Sequence, residues 1–93
     1  METVEVIKFD LWLEDQLAKA RQRPGVLHKV MPEWYLTEVH GEMVEITFER
    51  DEDTGTPLGW IARDYNQRWY GNTYPTLNEA FDGLKKGRGG KHV

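Results

Sequence analysis

Residues 60–87, WIARDYNQRWYGNTYPTLNEAFDGLKKG, combine turn chemistry, helix capping and hydrophobic spacing that together describe one unit, two strands followed by a helix. Thr76 can cap the helix through its hydroxyl while Glu79, three residues on, can reach back to the cap residue's amide, forming a capping box. Leu77, Ala80, Phe81 and Leu84 fall at i, i+3, i+4 and i+7 and give the helix one apolar face. Lys85 and Lys86 in the last turn complement the helix dipole, and Gly87 ends the helix. Gly83 costs about 1 kcal/mol relative to Ala in a helix interior, which points to close packing there or to a fraying end. The apolar face is expected to dock on the chain's own core.

Upstream of the helix, residues 58–65 and 68–74 read as strands paired across Asn66 and Gln67. Before them, Glu42–Arg50 alternates strictly, with Val44, Ile46 and Phe48 set against Met43, Glu45, Thr47 and Glu49. A strand around Trp34, Leu36 and Val39 (residues 33–40) joins it through a tight turn at Gly41, and the polar run 51–57 makes a longer hairpin loop. The result is a four-stranded antiparallel meander. At the N-terminus, residues 3–9 are compatible with a short edge strand. Asp10 then resembles an N-cap for a helix running to about Gln22, stopped by Pro24 and Gly25. Trp12, Leu13, Gln16, Leu17 and Ala20 share one side of that helix, and Glu14, Asp15, Lys19 and Arg21 are left for solvent. Residues 23–32 are read as a connection. The fold class is therefore α+β: a two-layer domain, a four-stranded antiparallel meander with a C-terminal helix packed on one face and an N-terminal amphipathic helix at an end or on the same face. Residues 1–87 form the single domain and 88–93 a disordered basic tail.

The 93 residues allow one modest core. The absence of cysteine excludes a disulfide framework and a thiolate metal site, and favours a reducing compartment. The opening METVEVIKFD lacks the basic start and apolar run of a secretory signal, and no stretch is apolar enough to span a bilayer, so a soluble cytoplasmic protein is expected. The net charge of −4 conceals a division: residues 1–59 carry 13 acidic against 6 basic side chains, and residues 60–93 carry 6 basic against 3 acidic. The molecule is expected to be electrically bipolar.

Residue types argue against catalysis. There is no serine, no glycine-rich phosphate loop, and the histidines His28, His40 and His92 are scattered. His40 and Glu42 flank a turn without the cysteine pair of a zinc deaminase. Asp51, Asp53 and Gly55 suggest a calcium loop, but the glycine comes one position early and Ala62 stands where the bidentate Glu belongs. Neither enzymatic activity, nor a metal, nor a cofactor is expected.

Two surface constellations remain. Glu42, Glu45 and Glu49 on one strand, with Asp51, Glu52 and Asp53 in the loop after it, form an acidic surface suited to a protein partner with a basic surface. Arg63, Tyr65, Arg68 and Tyr70 on the last hairpin, with Lys85 and Lys86, form a basic and aromatic surface on which nucleic acid could lie. Strand alternation allows only one of Trp69 and Tyr70 to share the exposed side; the other must be core. The pattern Trp60-x-Ala62, Trp69-Tyr70-Gly71 and Tyr74-Pro75-Thr76-Leu77-x-Glu79-Ala80 resembles the DNA-binding arm domains of phage integrases and plant ethylene-responsive transcription factors. That resemblance implies three strands plus a helix and covers residues 60–84 only. The acidic strand Glu42–Arg50 departs from the basic first strand of such DNA readers. The expectation is a small non-enzymatic protein-binding domain, of the kind phages and mobile elements use as inhibitors of nucleic-acid-handling machines, in the anti-CRISPR or anti-restriction manner. A nucleic-acid-binding module is the alternative. The many aromatics for so small an interior also suit a homodimer, through a sheet edge or through Trp12.

Overall fold

The computed structural model describes residues 4–86 and 91–92, with side chains from Lys8 to Lys86. Its elements are α1 (Val4–Gln22), β1 (His28–Met31), β2 (Trp34–Val39), β3 (Glu42–Arg50), β4 (Pro57–Asp64), β5 (Trp69–Tyr74), α2 (Leu77–Lys85) and β6 (Lys91–His92). The strands form one antiparallel sheet in chain order. The expected meander is present as β2 to β5.

Both ends of the meander are extended. β1, within the stretch read as a connection, pairs with β2 through His28↔Leu36 and Lys29↔Tyr35 before its register shifts ahead of Met31. Four residues interrupted by a bulge are too short for an alternating signal. At the other edge Lys91–His92 pair with Trp69 and Tyr70. Residues 87–90 and 93 lie outside the described residues, and with them the expected helix stop at Gly87 and most of the expected tail.

The N-terminal strand expected at 3–9 is not formed: from Val4 onward this segment is the first part of α1, and Asp10 is inside the helix rather than at its cap. The β-branched residues Val4, Val6 and Ile7 disfavour helix by only tenths of a kcal/mol each, and adding turns to an existing helix avoids the cost of nucleation. The helix face is as expected, with Gln16 and Ala20 buried and Glu14, Asp15, Lys19 and Arg21 exposed.

The two helices lie on opposite faces of the sheet, so α1 does not take the same-face placement that was one of the two expected for it. It covers the β1–β2 end, because the apolar residues it packs on, Trp34 and Leu36, have the opposite parity to Tyr35 and Val39. Val44, Ile46 and Ala62 share one face with the buried Trp69 and pack beneath Ala80 and Leu84 of α2, bordered by Tyr35, Trp60, Tyr74, Leu77 and Phe81. On the other face α1 covers β1 and β2: Trp12 meets Trp34 edge-on, and Gln16 bonds His28 at 2.7 Å. Each helix makes a two-layer contact, at different ends of the sheet. The strands β3 to β5 are thus covered by α2 on one face, while α1 on the other face sits over their neighbours.

The turns follow their chemistry. His40 (φ 53°) and Gly41 (φ 77°) both have positive φ, as a two-residue hairpin with the strand twist requires. Thr76 Oγ1 accepts from the Glu79 amide at 3.2 Å and donates to Glu79 Oε1 at 2.9 Å, so the carboxylate returns to the cap hydroxyl.

Candidate partner-binding face

The side of β3 to β5 turned away from α2 carries Glu45, Thr47 and Glu49 on β3, Ile61 and Arg63 on β4, and Tyr70 and Thr73 on β5. Register sets this order: Glu45 pairs with Arg63, Thr47 with Ile61, Ile61 with Thr73 and Arg63 with Tyr70. A register shift in β5 between Tyr70 and Thr73 keeps Tyr70 on this side while Trp69 enters the core. Tyr70 is 45% exposed and Trp69 3%, the division that alternation demanded.

Arg63 is the centre of the face. Its Nη2 donates to Thr47 Oγ1 at 2.8 Å and to Glu49 Oε2 at 3.1 Å, and its Nε lies 3.7 Å from Glu45 Oε1. Thr47 Oγ1 donates to Glu49 at 2.7 Å, Trp34 Nε1 donates to Glu45 Oε2 at 3.1 Å, and the Tyr70 ring lies 5.7 Å from the guanidinium. The Arg63 side chain is 19% exposed and that of Glu45 16%, against 44% for Glu49. Burial pushes the Glu45 carboxyl above its ordinary pKa, although Arg63 and the Trp34 indole pull it down, and nearby Glu49 pushes it further up. Beside them Tyr65 is half-buried, and burial followed by the charge of Glu45 raises its phenol, with Arg21 opposing.

The remaining acidic residues occupy both ends of β3. Glu42 has the parity of Val44 and therefore belongs to the α2 side, where it accepts from Arg68 Nη2 at 3.3 Å. Arg68 also grips the buried Asp64 through Nε at 2.8 Å and Nη2 at 3.1 Å, and these bonds hold the Asp64 carboxyl below its ordinary pKa. At the opposite end, roughly 30 Å away along an extended strand, Asp51 accepts from the amides of Asp53 (2.9 Å) and Thr54 (3.0 Å), and these bonds depress its pKa. Asp51 thus shapes the loop, while Glu52 and Asp53 stand exposed at its tip.

The two constellations expected from the sequence are therefore interleaved. Arg63, expected on a phosphate-binding surface, is held by Glu45 and Glu49, expected on an acidic one. Tyr70 lies beside its guanidinium and donates its hydroxyl to Gln67 at 3.2 Å; Arg68 is held by Asp64 and Glu42. Lys85 lies over the Phe81 ring at 4.3 Å, and it and Lys86 are exposed at the end of α2. Thr47 and Trp34 belong to the site although neither was singled out for it. Hairpin register would have shown the pairing: once the loop after Arg50 is closed, Glu45 must oppose Arg63. Among the described residues no cluster of three His, Asp or Glu side chains is arranged to hold a metal, and no helix is long and apolar enough to cross a membrane. Comparison with models of known protein families, with curated proteins and with solved structures yields no match.

Proposed function

We propose that the chain is a non-enzymatic protein-binding domain whose contact surface is the open side of β3 to β5 together with the β3–β4 hairpin tip. The observation that carries this reading is the setting of Arg63: one guanidinium, four-fifths buried, is shared by two carboxylates, of which Glu49 remains substantially exposed. The face is thereby left with excess negative charge. Glu52 and Asp53 extend the field along the hairpin, and Trp34 and Tyr70 supply aromatic area on either side. A partner with a basic surface fits this face, and the nucleic-acid-binding groove of a larger protein has that character. An inhibitor of a nucleic-acid-handling machine, of the phage or mobile-element kind, is the form of the proposal that suits a domain of this size.

Affinity capture from the native host with the wild-type chain and with a Glu49→Lys, Glu52→Lys, Asp53→Lys variant tests the reading, with thermal melting to establish that the variant folds. A protein recovered by the wild type and lost with the variant supports it; equal recovery overturns it. Salt-sensitive binding of DNA or RNA that depends on Lys85 and Lys86 would instead favour the nucleic-acid alternative.

A further inference from the structure

Above β2, on the same side of the sheet as Glu45, three aromatic rings form a ridge. Phe9 and Trp12 of α1 have centroids 5.5 Å apart, and Trp12 and Trp34 are 6.3 Å apart at 65°. Phe9 is 50% exposed and both indoles are partly exposed. Trp34 is fixed by its bond to Glu45, and it pairs across the strands with Thr47, so that Glu49 lies only two residues further along the same face. Rings and carboxylates are thus set side by side.

The chain shows twice what such a pairing accepts. Arg50 lies 4.7 Å from the Phe48 centroid while bonding Glu33 at 2.9 Å. Arg63 lies 5.7 Å from the Tyr70 centroid while bonding Glu49 at 3.1 Å. At Trp12 and Trp34 the rings and neighbouring carboxylates are present, but among the described residues no cation is stacked on either indole. We propose that this aromatic ridge is the seat for an arginine side chain of the protein partner, which stacks on the indoles while its guanidinium pairs with Glu49. This proposal rests on the protein-binding reading above and specifies the chemistry of the partner. Arginine is favoured over lysine because its planar guanidinium stacks on a ring and presents paired donors to a carboxylate, whereas an ammonium does neither as well.

The test is an NMR titration of the isotopically labelled chain at low salt with hepta-arginine and hepta-lysine peptides, reading the indole N–H resonances. The expected result is movement of the Trp12 and Trp34 signals, with hepta-lysine binding about fivefold more weakly, the size of one favourable cation–π contact. Phe9→Ala, at a half-exposed position, is expected to weaken hepta-arginine selectively. Trp12→Ala is expected to abolish the movement of the Trp34 signal, with melting as the check on its fold. Glu52→Lys, Asp53→Lys is expected to weaken both peptides alike and leave the preference intact. Equal affinity for the two peptides, shifts confined to the hairpin tip, or no shift at all overturns the proposal. Host capture tests the protein-binding reading separately: its loss on charge reversal sustains that reading even when the indoles ignore arginine.

Discussion

Gly83 and Tyr74 are matched: a Cβ at Gly83 would stand 2.5 Å from the Tyr74 hydroxyl oxygen and 3.0 Å from its Cζ. The glycine is therefore where it is for close packing, the first of the two explanations its position in α2 allowed. Gly83→Ala gains up to about 1 kcal/mol of helix propensity. It must also displace a tyrosine wedged between helix and sheet, at about 1–3 kcal/mol for overpacking. The expected outcome is net destabilisation by about 1 kcal/mol in urea unfolding, largely recovered when Tyr74→Phe is added, since the closest clash is with the hydroxyl. Additive effects of the two changes would show that the contact does not govern the position.

Gly59 presents a harder constraint. Its φ of 125° is one that side chains rarely adopt, and a Cβ would lie 2.7 Å from both Thr73 Cγ2 and the backbone oxygen of Tyr74. The backbone contact cannot be relieved by a rotamer change. Gly59→Ala is expected to lower stability by about 2–4 kcal/mol, combining strain and clash, and to lower the thermal midpoint more than Gly83→Ala does.

The contrast between these glycines marks what the sequence discloses. α2 was legible because Thr76, Glu79, Leu77, Ala80, Phe81 and Leu84 agree at every level, and β3 because the six residues from Val44 to Glu49 alternate apolar and polar without interruption. The role of Gly59 was not legible, because it depends on the register of β4 against β5. For the same reason Arg63 read as a free cation: its partners Glu45 and Glu49 are more than a dozen residues away in sequence and meet it only when the hairpin closes. β1 was missed because its order comes from β2 and α1 rather than from its own pattern.

Asp64 gives the acid dependence a direction. Its carboxyl is buried and held below its ordinary pKa mainly by Arg68. A depressed folded-state pKa contributes stability that is present above the ordinary Asp value and is lost as pH falls through the lower folded value. Asp51, depressed by its loop amides, acts in the same direction. Asp64→Asn is expected to cost about 1–3 kcal/mol at pH 7 through its weakened bonds to Arg68. The gap to wild type is expected to narrow towards pH 3, and denaturant titrations across that range measure it. A pH-independent gap would show that the charge of Asp64 is not what Arg68 holds.

Arg63→Met is predicted to show a gap to wild type that also narrows on acidification, but through a carboxyl whose pKa is raised rather than lowered. Removing the guanidinium leaves Glu45, already raised by burial, without its main compensating charge and beside Glu49. Its folded-state pKa then rises further. A raised carboxyl contributes stability below its unfolded pKa and loses it as pH rises through the folded value, so the variant suffers most at neutral pH, by about 2 kcal/mol, and recovers relative to wild type as the solution is acidified. Glu45→Gln in the same background is expected to restore part of the neutral-pH loss, because the isosteric amide fills the site without the uncompensated charge and can keep the Trp34 indole bonded. Denaturant midpoints for both variants at pH 4.5 and pH 7.5 check this, and a loss equal at the two values would show that Arg63 stabilises the face by packing over Thr47 and Tyr70 rather than by neutralising its carboxylates.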